Sequence, residues 1–397
     1  MKSSLLKYNF IFLVFVAGLG TIMRFATLFP LTIKYTNLLH AHSHVAFQGW
    51  AYLSLFYLLT TNFISQKNIE IGKYKLQYKI TIVVVLGILI SFILQGYGLY
   101  SIIFSSLFQI MSYWFMFRFL KDLNQENQLQ KQPLSIKFIK AALWLNFIST
   151  LAPWGIGIIS ANGLSGSEVY HSTIYFFLHF QYNGWFTFAI LGIFFKLLEK
   201  HELNFDNIKA TYFYYFLLLS VLPAYTLSLL GMSFKNSIII LAYFAAFVQL
   251  IAAFYFFSSL KKLYKIAIKK FNAIFYWLII ISFSSFILKL IIQSLSVLEI
   301  FQPIAFSNRF IIMSFIHMVL IGFVSIGILA IMKSLNYINK KSTLSLIGMV
   351  FLLIGFLSSE LFLVISGFNA ILFLNELLVL SSLIMFLGIV FLLIKLK

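Results

Sequence analysis

Cysteine is absent from this chain of 397 residues. Its absence excludes disulfides, thiolate metal sites, iron–sulfur clusters and cysteine nucleophiles, and leaves histidines, carboxylates and tyrosines to carry any ligand chemistry. Charge is also scarce: 10% of residues are charged against 61% hydrophobic, a balance far outside that of soluble globular proteins. There is no Gly-rich phosphate loop and no HExxH pair for zinc hydrolysis. The first apolar run follows Lys2 and Lys7 and ends without a small-residue cleavage site, so it reads as an uncleaved span and not as a signal peptide. No internal repeat of roughly 20 to 50 residues is visible, and no long soluble insertion.

What remains is the composition of an all-α integral membrane protein whose main partner is the lipid bilayer. Apolar runs long enough to cross about 30 Å of hydrocarbon number about twelve. Their approximate limits are 9 to 30, 40 to 64, 79 to 98, 99 to 119, 138 to 160, 171 to 195, 210 to 231, 237 to 259, 272 to 295, 310 to 332, 344 to 366 and 371 to 394. The chain reads as one polytopic membrane domain over residues 1–397. The 48 Phe carry no functional weight, since they accompany the Ile, Lys, Asn and Tyr of a genome low in G and C.

A net charge of +19 suggests nucleic acid in a soluble protein, but here the lysines cluster between apolar runs, which is a topology signal. Lys67, Lys73, Lys75 and Lys79 follow the second span, Lys121, Lys131, Lys137 and Lys140 the fourth, and Lys196, Lys200 and Lys209 the sixth. Lys261, Lys262, Lys265, Lys269 and Lys270 follow the eighth, Lys333, Lys340 and Lys341 the tenth, and Lys395 and Lys397 close the chain. Both termini are therefore expected on the cytoplasmic side of a bacterial inner membrane, with even-numbered spans entering from the outer face.

That orientation gathers histidines in the outer half. His40, His42 and His44 lie in HAHSHVAFQGW at the start of the second span, with His40 and His44 on one helix face and His42 turned about 160° away. His171, Tyr175 and His179 form a stripe on the sixth span, followed by Gln181, Tyr182 and Asn183, polar groups that normally face a bundle interior or a wet cavity. His317 stands roughly 10 Å below the rim of the tenth span. His201, in the charged segment after the sixth span, reads as a solvated residue. Each intramembrane histidine also has a plain structural reading: interfacial hydration for the triplet, a helix-packing network for His171 and His179, a packed residue for His317. The ligand reading is haem iron held by His317 and one of His40, His42 and His44, with Arg24 or Arg309 holding propionates, and His171, His179 and Tyr175 as a second metal site for copper, or as the lining of a pocket for a diatomic gas or a quinol. Glu360, Glu376 and Lys289 also fall inside spans, without an evident partner.

At these residues the chain resembles the haem–copper oxidase subunit I superfamily, as a shortened, diverged member, and the HAHSH segment is similar to the second-span opening of NnrS-type haem- and copper-containing membrane proteins. The resemblance covers the twelve-span plan and the histidine-bearing second, sixth and tenth spans. It implies low-spin haem b ligands in the second span and at His317. Phe315 stands where that family has the first histidine of a pair, and TYFYYFLLLSVLPAYTLSLLG has none of the seventh-span copper ligands, so oxygen reduction at a complete binuclear centre is not implied. The function implied is electron transfer, or the handling of nitric oxide or oxygen, by a haem-dependent oxidoreductase-like protein beside respiratory-chain subunits or quinol. Two rivals come from other classes: a proton-coupled secondary transporter, with Pro223 as a candidate helix break, and a cofactor-free structural membrane subunit.

Overall fold

The computed structural model describes residues 1, 3–126, 132–233, 235–261, 263, 273–339 and 342–396. Lys131, Lys262, Lys265, Lys269, Lys270, Lys340, Lys341 and Lys397 of the basic clusters lie outside the described residues. The described residues form helices and no strand, joined by short turns. We number the long helices α1 (Leu6–Phe25), α2 (35–63), α3 (Tyr74–Gln95), α4 (Leu99–Glu126), α5 (Leu134–Ala161), α6 (168–200), α7 (Asn207–Leu229), α8 (Lys235–Leu260), α9 (Ala273–Leu295), α10 (Arg309–Ser334), α11 (Thr343–Ser366) and α12 (Leu374–Ile394). Ten of them are long and apolar enough to cross a membrane. The other two, α2 and α6, are as long but carry the histidines and amides.

The helices run close to the apolar runs, with physical reasons for the differences. α1 stops at Phe25 and not near residue 30, because the chain turns through Ala26–Phe29 into Pro30, which cannot continue a helix. Arg24 thereby falls in the last turn of α1, where a cation meets the negative end of the helix dipole. α3 and α4 are separated at Gly96, whose φ of +62° suits glycine, and where a Cβ would lie 2.6 Å from Asn37 Oδ1.

The contacts gather into two compact units, Met1–Leu129 with Ile328–Lys397, and Gln130–Gly327. In the first, α1 packs on α2 and α12, α3 on α4, and α11 on α12. The α11–α12 pair is close because Gly348 and Gly388 face each other's carbonyls: a Cβ on either would stand 2.6 to 2.7 Å from the other's oxygen. Where α2 turns into α3, Glu126 accepts hydrogen bonds from Ser65 and Asn68, and buried Asp122 accepts from Tyr74 and Arg118, both at 2.8 Å. In the second unit α5 packs on α6, α7 on α8, and α8 on α9, with Ser294 Oγ donating to the Ala246 carbonyl.

Candidate functional site

Three helices, α2, α6 and α10, carry the histidines other than His201, and each changes its winding at the residue after one. A π-helical segment runs from Val45 to Tyr52 after His44, from Phe180 to Phe186 after His179, and from Met318 to Ser325 after His317. Such wide turns are rare and concentrate at functional sites. The extra residue displaces carbonyls from the normal ladder, and hydroxyls take them up: Thr187 Oγ1 donates to Tyr182 O at 2.5 Å, Ser325 Oγ to Leu320 O at 2.8 Å, and Ser282 Oγ to Phe323 O at 2.9 Å.

The local sequences repeat with the winding. His44 is followed by Gln48, Gly49 and Trp50, His179 by Asn183, Gly184 and Trp185, and His317 by Ile321, Gly322 and Phe323, at identical offsets and four helices apart. In the first two, the glycine lets the preceding odd-numbered helix lie against the wide turn. A Cβ on Gly49 would stand 2.9 Å from Phe12, and one on Gly184 2.8 Å from Leu145. The aromatic residue then buries against that same helix, as in Trp50 on Phe10 at 5.6 Å and Phe323 on Phe286 at 5.0 Å. This repeat has too long a period to show as a repeat of roughly 20 to 50 residues; its signal in the amino-acid sequence is a histidine followed five and six positions later by glycine and a large aromatic.

Within the first unit the three histidines of α2 part company. His40 and His44 lie with Phe92 and Tyr97: the His44 ring stacks on Phe92 at 4.3 Å with Nε2 3.1 Å from the Tyr97 hydroxyl, and His40 meets Tyr97 edge-on at 4.6 Å. His42 points the other way, to α1. Its Nδ1 lies 2.9 Å from the Val16 carbonyl oxygen, which can only accept, so Nδ1 carries the proton and Nε2 the lone pair. Gly20 makes this approach possible, since a Cβ there would sit 3.1 Å from His42 Cε1. Nε2 of His42 makes no hydrogen bond among the described residues. A ring oriented by an Nδ1–H to a backbone carbonyl, with Nε2 open, is how ligating histidines are held. Half-buried Arg24 is within electrostatic reach of His42, Tyr35 and Glu360. Glu360, on α11, thus adds negative charge to the surroundings of Arg24.

Within the second unit His179 is wholly buried. Its Nε2 donates to the Val221 carbonyl at 2.8 Å and its Nδ1 accepts from the Asn183 amide at 3.0 Å, so both ring nitrogens are engaged. The Val221 carbonyl is available because α7 tightens into a 3₁₀ turn at Tyr225–Leu229, just past Pro223. His171 and Tyr175 are exposed, and His171 lies two turns from His179, about 12 Å along the helix, too far for one ion to join both. Gln181 instead donates to Asn146 Oδ1 and Ser149 Oγ on α5. His317 is half-buried in the last α-helical turn before its wide segment. Arg309 is exposed at the start of α10, its guanidinium 5.0 Å from the Phe310 ring centroid. Among the described residues no three His, Asp or Glu side chains come together as a metal site.

The chain matches no protein-family model and no curated protein.

Proposed function

We propose that this chain is a multi-pass protein of the bacterial cytoplasmic membrane, with twelve spans and both termini on the cytoplasmic side, that binds a b-type haem through Nε2 of His42. It works in electron transfer, or in handling nitric oxide or oxygen, with quinol or respiratory-chain subunits as electron partners. The observation that supports this reading is the pairing of a carbonyl-anchored Nδ1–H with an open Nε2 at His42. A haem held there would supply one-electron redox chemistry and affinity for a diatomic gas. Val16 and Gly20 orient the imidazole, and Arg24 offers positive charge beside it for a propionate, in competition with Glu360.

The experiment is an absorption spectrum of the purified protein, oxidised and dithionite-reduced, with haem extracted and identified. A sharp Soret band lost in His42→Ala supports the proposal, and a colourless, folded protein from haem-replete cells overturns it. A second reading, a proton-coupled secondary transporter, is favoured by the interruption of α7 after Pro223, whose loosened carbonyl is taken by a buried histidine. Proton uptake driven by a substrate gradient in liposomes, with no haem bound, would decide for it.

A further inference from the structure

Lys289 is 1% exposed in the interior of the second unit, on an apolar helix. A lysine buried at such a place keeps its charge only beside a countercharge or several polar partners. None of the unit's five carboxylates supplies the countercharge. Glu168 is held by Ser233, Glu199 by Ser135, Asp206 caps α7 and pairs with Lys209, Glu299 pairs with Lys235, and Glu202 is exposed in the turn after α6. What Nζ meets is Thr187 Oγ1 at 3.5 Å and the Phe286 ring at 5.3 Å. The Thr187 hydroxyl proton is committed to Tyr182, so among the described residues the ammonium has one long hydrogen bond for three N–H groups.

Three buried amides, one each on α6, α8 and α9, fall near the level of this contact along the helices, each with its oxygen unbonded among the described residues. Gly327 lies against both Ser282 and Ile190, so α9 runs antiparallel to α6 past the Lys289–Thr187 contact. Asn183 and Gln293, one turn from Thr187 and Lys289 respectively, therefore lie on the same side of it. Gln249 of α8 falls between the levels of the Ala246–Ser294 and Phe256–Phe286 contacts. Asn183 Oδ1, Gln249 Oε1 and Gln293 Oε1 are buried without a hydrogen-bond partner among the described residues. Such atoms inside a protein are normally satisfied by water or ligand.

We propose that Lys289, Thr187, Asn183, Gln249 and Gln293 form a binding site for a small, partly hydrated inorganic monoanion. The anion neutralises the ammonium, its water molecules donate to the amide oxygens, and either glutamine amide can rotate to present N–H. The site is independent of the haem reading, since it uses no histidine ligand.

The test is thermal unfolding of the full-length protein in detergent, titrated with sodium chloride, bromide or nitrate against gluconate at constant ionic strength. Wild type gains a saturable rise in midpoint with the small anions, Lys289→Met loses it, and Lys289→Arg keeps it. His42→Ala keeps it too, which separates this site from the haem. A wild type indifferent to the anion, or a Lys289→Met variant responding equally, overturns the proposal. Should Lys289→Met fail to fold, Gln249→Leu with Gln293→Leu takes its place: loss of the response supports the site and an unchanged response overturns it.

Discussion

The Nδ1–H of His42 is spent on the Val16 carbonyl, 2.9 Å away on the neighbouring helix, and this single bond separates His42 from the two histidines beside it. His44 has its Nε2 against a tyrosine hydroxyl and its ring stacked on Phe92. If haem binds as proposed, His42→Ala abolishes the Soret band, His44→Ala leaves at least half of it, and Gly20→Val lowers it by crowding the ring. Haem-to-protein ratios of the purified variants decide: full loading of His42→Ala removes the assignment.

Both nitrogens of His179 are used within the fold, so its removal should be felt in stability and not in metal content. His179→Ala leaves the Val221 carbonyl and the Asn183 amide unpaired in a buried place, a loss of about 1–3 kcal/mol. The expected outcome is a lower unfolding midpoint with unchanged copper by elemental analysis. A fall in bound copper would show that Asn183 gives way to a metal.

Gly49 and Gly184 should not tolerate a side chain, because a Cβ would enter Phe12 or Leu145. Alanine at either costs about 1–3 kcal/mol by overpacking. Gly157, with nothing within 4 Å of its added Cβ, serves as the contrast and gains up to about 1 kcal/mol as alanine. Denaturation of the three variants in one detergent compares them, and equal effects would disprove the packing argument.

Two carboxylates at helix starts set part of the acid limit. The Ser233 hydroxyl and backbone N–H hold Glu168 below the usual carboxylate range, and the Lys209 backbone N–H with its ammonium does the same for Asp206. Because the folded values are depressed, their contribution is whole above the unfolded values, about 4, and is lost as pH falls through the folded ones. Unfolding midpoints should decline below about pH 4, and less steeply in Glu168→Gln with Asp206→Asn. An identical decline in both proteins would assign the acid sensitivity elsewhere.

Much of the architecture was legible in the amino-acid sequence alone. Apolar runs of span length, broken by lysine clusters and by Gly96, mark helix positions because a backbone in hydrocarbon must bond within itself. Helical periodicity likewise sends His40 and His44 one way and His42 the other, since residues four apart share a face. Tertiary structure alone decided which nitrogen of which histidine is used, because a hydrogen bond to Val16 or Val221 depends on the packing of a helix distant in sequence. It also decided the wide turns after His44, His179 and His317, at the first two of which a glycine lets a neighbouring helix press close, and it left Lys289 against Thr187 and Phe286 and not beside any of the second unit's carboxylates. Local residue order sets how each helix winds and what it buries, whereas the partners of its polar atoms are fixed by contact between helices.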